Sequence, residues 1–533
     1  MLDALMEQNR FHRRILVKKG FFMPDCEVRP FSEQYEEYLN RRLYGLSDLI
    51  AAEEMGVLKL RRQPYLDLTG RGIIFGIADT GIDYTHPVFR YSDGGSRILA
   101  IWDQSAESEE NSPVPFGKIY VQEQINEALR SENPLELVPV TDEIGHGTFM
   151  AGLAAGNIME EEEFTGIAPN ADILVVKLRQ ADICLKKFWF VAEETPAYTE
   201  EDIIEAVDFM ILFAQDKGQD MVLYFGIGSS HGDHNGIGPL TDYLDLISLQ
   251  RGRGVVLAGG NEGNAAHHFR SQSYEGILYQ DVEVRIAGVR EGLYIEFWAD
   301  APDLYGIGFV SPTGEVVEKL PTRTFLRETL PFIFERTVIY VIYERVEAVT
   351  GATLIRIFME NPTDGIWKIR IFQEEVYGGR FDLWMPITSF IQGEAAFLRP
   401  DPETTITEPG NGSQSLTVSA YSMETGGIYL ESSRGFTRNG MVKPDLAAPG
   451  VNIRGPIRGG LYTERSGTSV AAALTAGIMV LMMEYNPGYT GVQIKNYLIR
   501  GAKRDARRYP NTEFGWGKID IYETFLNMRE TGS

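Results

Sequence analysis

The sequence predicts an α/β fold built on a parallel sheet and interrupted by an all-β domain. Three observations predict it. Ile73, Ile74, Phe75, Ile77 and Ala78 form an apolar run ending at Asp79, followed by the turn Thr80-Gly81. That is the pattern of a buried parallel strand running into a tight turn. Apolar runs of this kind recur between helical stretches of about the right period, the mark of a parallel sheet with helical crossovers. Between about 270 and 412, by contrast, short β-type runs follow one another closely, which suggests a β-sandwich.

Taken in order, residues 1–46 are charged and weakly patterned, with Arg29-Pro30 and a helical-looking stretch from Ser32 to Leu43. Leu46 to Leu58 reads as a helix leading into the core, and Gly70-Arg71-Gly72 precedes the first strand. An acidic insertion spans 103–143, with a polar loop over Ala106 to Pro115 and a helix over Gln122 to Arg130. Asp172 to Leu178 is a strand. Glu200 to Lys217 is an amphipathic helix with Ile203, Ile204, Val207, Met210 and Ile211 on its apolar face. Met221 to Phe225 is the next strand, Pro239 to Arg251 a helix, and Gly254 to Ala258 a further strand.

The separation of Asn261 from Ser469 exceeds what a compact α/β core needs there, so 271–412 reads as inserted. Its expected strands are 276–278, 282–287, 293–298, 304–310, 337–343, 353–359 and 365–373, with a turn at Asn361-Pro362-Thr363-Asp364-Gly365. Ser415 to Ala420 resumes the core, and Thr490 to Ala502 with Gly515-Trp516-Gly517 closes it. The organisation is thus an N-terminal segment (1–46), a first core part (47–270), the insert (271–412) and a second core part (413–533).

Composition bounds the function classes. The 533 residues are 44% hydrophobic and 23% charged, as in a globular protein with an ample core. Fifty basic against 75 acidic residues give a net charge of −25. That disfavours binding to nucleic acid or anionic membranes, which need clustered Lys and Arg. The two cysteines, Cys26 and Cys184, do not make a disulfide scaffold and are compatible with a reducing compartment. The first residues lack the apolar core and cleavage site of a signal peptide, so cytoplasmic synthesis is expected. No 18-residue apolar stretch suggests a membrane span, and Ile478 to Met483 reads as the end of a core helix stopped by Asn486-Pro487-Gly488.

Four glycine-rich segments carry the chemistry. Asp79 closes the first strand in GIADTGIDYTHP, His146 sits between glycines in GHGTFMAG, and Ser469 opens the alanine-rich stretch of SGTSVAAALTAG. An orienting carboxylate, a base and a nucleophile are the parts acyl transfer needs. Asn261 ends the run Gly254 to Gly260, where its amide and the Ser469 N–H would donate to a tetrahedral oxyanion. Asp83 reads as a turn carboxylate and His86 as packing beside Pro87. His231 and His234 look like metal ligands, but no third ligand is nearby, so no metal is expected and the pair is placed at the cleft border. His267 and His268 read as a surface or interdomain contact, and Glu160 to Glu163 as a solvated loop.

These segments, together with Gly166-Ile167-Ala168-Pro169 and Lys443 to Gly450, resemble the subtilases, the subtilisin-like serine proteases, over roughly 47–270 and 413–525. The resemblance implies a doubly wound, mostly parallel sheet and endopeptidase chemistry on a protein or peptide substrate, with Asp79, His146 and Ser469 as triad and Asn261 in the oxyanion hole. It also implies a substrate pocket walled by Gly226, Ile227, Gly228, Ala258, Gly259 and Gly260. The chain departs from the common pattern at Phe149, at Ala473-Leu474, at Gly226 where a Ser is usual, and at Val88 where a calcium-ligating Asp often sits. No metal or cofactor is therefore carried over. The family's prosegment is usually longer than 1–46, so this segment is either a reduced prosegment or what remains after maturation.

The serine motif and the large insert are most similar to the Csp-type subtilases of spore formers. That subgroup implies a jelly-roll insert, a spore-associated setting, and processing of a zymogen such as a spore cortex hydrolase. It also contains members without a full triad, so the alternative is a catalytically silent sensor on the same scaffold. Substrate preference and oligomeric state are left open by the sequence.

Overall fold

A computed structural model describes residues 43–46, 54–61, 63, 66–108, 112–271 and 278–531. At its centre is an eight-stranded sheet in the order Leu446–Pro449, Leu416–Tyr421, Arg253–Ala258, Asp220–Phe225, Ile73–Asp79, Asp172–Lys177, Ile98–Asp103 and Lys118–Val121. Every neighbouring pair is parallel except the last, where Lys118–Val121 returns antiparallel along Ile98–Asp103.

Strand alternation sorts the two faces. Phe75 and Ile77, with Val222, Tyr224 and Val256, pack on helices His146–Ala155 and Thr468–Tyr485. Ile74 and Ala78, with Leu223, Val255 and Leu257, turn onto helices Glu200–Lys217 and Pro239–Ser248. Helices cover both faces, so the sheet is doubly wound and its strands read as continuous apolar runs. Among the described residues Thr468–Tyr485 is the one helix long and apolar enough to cross a membrane, but 89% of it is buried within the protein.

The all-β part is a pair of antiparallel sheets. One has six strands, in the order His268–Arg270, Phe381–Trp384, Gly292–Ala299, Thr353–Glu360, Val338–Glu344 and Phe325–Pro331. The other has five: Val316–Val317, Leu304–Val310, Gly365–Glu375, Tyr279–Ala287 and Glu394–Phe397. Leu293, Ile295, Phe297, Ile355 and Ile357 of the first interdigitate with Val282, Val284, Ile307, Phe309, Trp367 and Ile369 of the second. A carboxylate seats this sandwich on the core. Asp382 accepts from His268 Nε2 (3.0 Å), Arg270 Nε (3.1 Å), Arg380 Nε (3.0 Å) and Arg438 Nε (2.9 Å), the last from a core loop.

One expectation at the amino end differs, and others fall outside the described residues. Leu43–Leu46 is a strand, residues 47–53 lie outside the described residues, and among the described residues of 46–58 helix begins at Val57, in Val57–Arg61. The helix expected from Ser32 to Leu43 falls outside the described residues apart from Leu43, which is in that strand. The expected strand at 276–278 likewise falls mostly outside them.

Candidate active site

Asp79 ends its strand at the carboxyl edge of the sheet, where open α/β folds collect functional groups. His146 is the first residue of its helix, entered through Gly145, whose φ of 76° suits a glycine. Ser469 is in the first turn of helix Thr468–Tyr485, where backbone N–H groups have no intrahelical acceptor. The fold brings all three together. His146 Nδ1 lies 2.7 and 2.9 Å from the two oxygens of Asp79, and His146 Nε2 lies 3.3 Å from Ser469 Oγ. Asp79 and Ser469 are fully buried and His146 almost so.

A second carboxylate, which the sequence reading passed over, organises this corner. Buried Asp142 accepts from Thr80 Oγ1 (2.7 Å), Gly145 N (2.8 Å), Thr148 N (2.8 Å) and Thr148 Oγ1 (2.7 Å). Thr80 Oγ1 in turn accepts from Gly147 N at 3.0 Å, and Thr80 N donates to Asp79 Oδ1 at 2.7 Å. The turn after Asp79 and the start of the His146 helix are thus bolted to one anion at a helix N-terminus, its favoured place. Nearby, burial and then the charges of Asp79 and Asp142 push the Tyr198 phenol far above its ordinary range, so it stays neutral.

Asn261 is held by its oxygen. Oδ1 accepts from Thr468 N (3.1 Å) and Thr468 Oγ1 (3.2 Å), while Gly260 N donates to Thr468 Oγ1 (3.0 Å). This fixes the amide so that its NH₂ is the end left for a ligand oxygen. Beside it opens a cavity of about 430 Å³ lined by Ile227, Gly228, Ala258, Gly260 and Asn261. Thr407 is a wall the sequence did not disclose: its Oγ1 lies 2.3 Å and 2.6 Å from where a Cβ would stand on Gly228 and Gly260. Further lining comes from Glu262, Tyr429 and Glu431, and from Ile387, Thr388 and Ser389 of the insert. Gly259 and Gly226 do not line the cavity. Gly259 abuts Val418 O and Ile406.

Gly226 faces Ser469. A Cβ there would lie 2.1 Å from Tyr224 Oη and 2.9 Å from Ser469 Cβ. Tyr224 Oη donates to the Ser469 carbonyl at 2.9 Å and occupies the room a side chain at 226 would need. That explains the departure from serine at this position.

The chain itself fills the lane beside the pocket. Leu43–Leu46 pairs antiparallel with Ile227–Gly228 (Gly45 to Gly228, Leu46 to Ile227) and with Tyr198–Thr199 (Leu43 to Thr199, Tyr44 to Tyr198). It is the middle strand of a small three-stranded sheet. No sequence signal marks it, because a four-residue strand is made by the edges that receive it.

Other residues singled out from the sequence fall as follows. Asp83 is a turn carboxylate, accepting from Thr85 N (3.0 Å) and Gly459 N (2.9 Å). His86 Nδ1 caps a short 3₁₀ turn by accepting from Val88 N at 3.2 Å. His231 and His234 do not border the cleft: they are buried where core meets sandwich. His231 packs on Trp189 (4.6 Å) and Tyr294 (5.2 Å), and His234 stacks on Trp384 (4.2 Å). Burial pulls the His234 ring down to about 4. His267 and His268 are buried in the same junction, and Glu162 pairs with Arg454 at the surface.

The subtilase family model matches residues 70–280 and 399–517. The chain belongs to the subtilase family. It superposes on the structure of the Clostridium perfringens CspB protease with a TM-score of 0.78 and 28% identity, over 90% of this chain and 97% of that one. It is 24% identical over 487 residues to the Subtilisin-like protease SBT3.9 of Arabidopsis thaliana, covering 82% of this chain and 58% of the relative. Over 141 residues it is 34% identical to the Serine protease AprX of Bacillus subtilis (strain 168), covering 23% of this chain and 31% of the relative. The chain thus spans less than two thirds of the length of these curated relatives.

Proposed function

We propose that this chain is a serine endopeptidase acting through a Ser-His-Asp acyl-enzyme. The observation that carries the reading is the His146 ring, bonded through Nδ1 to Asp79 and facing Ser469 Oγ through Nε2 at 3.3 Å. Nε2 takes the hydroxyl proton as Oγ attacks the scissile carbonyl. Asp79 keeps the ring in the tautomer with its proton on Nδ1 and balances the imidazolium. Asn261 Nδ2 and the Ser469 N–H receive the oxyanion. The imidazolium then protonates the leaving amine, and water, activated by the same Nε2, releases the acid and restores Oγ–H.

The substrate is an extended peptide entering as a strand between Tyr198–Thr199 and Ile227–Gly228. Leu43–Leu46 supports this, since it already lies there with antiparallel pairing on both sides. On this reading residues 1–46 belong to a prosegment whose Leu43–Leu46 strand occupies the lane, and cleavage falls just beyond it, within 47–50. The likeness to the CspB protease extends the proposal to processing of a zymogen such as a spore cortex hydrolase, in a spore-associated setting.

The test is Ser469→Ala. It should abolish hydrolysis and labelling by a serine-directed fluorophosphonate, and leave the chain intact where the wild type acquires a new terminus within 47–50. Hydrolysis or processing by the Ala variant refutes the assignment. A folded wild type that neither labels nor cleaves moves it to a sensor on the same scaffold.

A further inference from the structure

Asn261 is held from one side by Thr468, as described, and from the other by a clamp that reaches into the inserted sandwich. The next residue, Glu262, is buried. Its Oε1 accepts from Thr388 N at 3.0 Å, and its Oε2 accepts from Thr388 Oγ1 at 2.8 Å and faces His267 Nδ1 at 3.1 Å. Its own N–H donates to Ser433 Oγ at 2.9 Å. Thr388 opens a 3₁₀ turn of the sandwich, Thr388–Phe390, which also lines the cavity. His267 is itself gripped: Nε2 faces Ala395 O at 3.2 Å, its carbonyl accepts from Met385 N at 2.9 Å, and the Ala266 carbonyl accepts from Phe397 N at 3.0 Å. Both His267 nitrogens face acceptor oxygens. Ala266 sits at φ 60°, a conformation a non-glycine residue keeps only when its surroundings hold it there.

The arrangement is more than a domain seat. A buried carboxylate with three donors cannot shift without leaving a polar group unpaired. Its backbone is continuous with Asn261, and a small displacement of an oxyanion donor is costly to the reaction. We infer that the inserted sandwich is a working part of the oxyanion hole. Glu262 is a positioning residue, locked by Thr388 and His267, that fixes where the Asn261 amide points. This rests on the proposed acyl-transfer chemistry.

The test uses the full chain and a small alkyl fluorophosphonate, whose phosphonyl oxygen takes the oxyanion position as Ser469 reacts. Removing an oxyanion donor costs roughly 10²–10³, so loosening one should cost about tenfold. Glu262→Ala is expected to lower the maximal labelling rate about tenfold with half-saturation within about twofold. Glu262→Gln, which still accepts from Thr388 N, should recover most of the rate. Added to Asn261→Ala, Glu262→Ala should cost nothing further, because it acts through Asn261. Thr388→Val keeps the backbone bond and loses the hydroxyl. It tests the clamp if Glu262→Ala fails to fold, with an expected loss of about threefold.

Wild-type rates in both Glu262→Ala and Thr388→Val overturn the inference, as does a Glu262→Ala loss that persists undiminished in the Asn261→Ala background. Failure of the wild type to label would instead strike the acyl-transfer reading.

Discussion

Replacing Asp79 by Asn tests the site through a single proton. Asp79 Oδ1 receives Thr80 N–H at 2.7 Å, and His146 Nδ1 lies 2.7 Å from Oδ1 and 2.9 Å from Oδ2. An Asn keeps its oxygen where Thr80 N–H needs an acceptor, which puts the amide nitrogen at the Oδ2 position. The opposite rotamer would set two buried donors against each other at a cost of roughly 1–3 kcal/mol. The amide NH₂ then faces Nδ1 donor to donor unless Nδ1 is unprotonated, which favours moving the ring proton to Nε2 over sharing the one remaining oxygen with Thr80 N–H. A protonated Nε2 has no lone pair for the Ser469 hydroxyl. In another serine-protease fold the same swap costs about 10⁴ in kcat, which at 1.36 kcal/mol per decade is about 5.4 kcal/mol. The assay is steady-state hydrolysis of a peptide nitroanilide together with the fluorophosphonate rate, on protein shown by circular dichroism to be folded. Asn and Asp have nearly the same shape, so the fold should survive. A folded variant within about tenfold of wild type would refute the tautomer argument.

Gly226→Ala puts a methyl group 2.1 Å from Tyr224 Oη and must displace either the Tyr224–Ser469 bond or the start of the serine helix. The expected cost is about 1–3 kcal/mol in stability by thermal shift, with a loss of kcat, and a neutral result would contradict the crowding described. Asp382→Asn strands buried cationic donors and should cost about 3–5 kcal/mol, read by denaturant titration. In the wild type, burial opposes ionisation of Asp382, but the His268 hydrogen bond and charge, with Arg438 and Arg380, hold the carboxyl well below the usual range. Its stabilisation is therefore complete above the unfolded carboxyl pKa of about 4 and is lost as pH falls below that. The Asn variant should show a flatter acid limb, and equal limbs would count against the hub.

How much was legible followed from how local each cause was. Ile73–Asp79 could be read because a strand buried on both faces must be apolar throughout. Glu200–Lys217 was legible because Thr199 caps it, Gly218 ends it and its apolar stripe keeps helical period. Phe381–Trp384 escaped notice because Asp382 breaks the apolar pattern, and a carboxylate can be buried there only because His268, Arg270, Arg380 and Arg438 converge on it. At the site, Asp79, His146, Ser469 and Asn261 stood out because each needs its own glycine-rich turn. Asp142, Tyr224, Thr407 and Glu262 left no such mark, since what they do depends on partners distant in sequence.

The amino-acid sequence by itself determined the subtilase core, the candidate site residues Asp79, His146, Ser469 and Asn261, and the presence of a β-rich insert, because those follow from local periodicity and turn chemistry. Only the tertiary structure decided that Leu43–Leu46 lies between Tyr198–Thr199 and Ile227–Gly228 and that Thr388 of the insert holds the loop beside Asn261. Both are pairings between separate segments, and the energy of such a pairing exists only once the two edges have been brought within hydrogen-bonding distance.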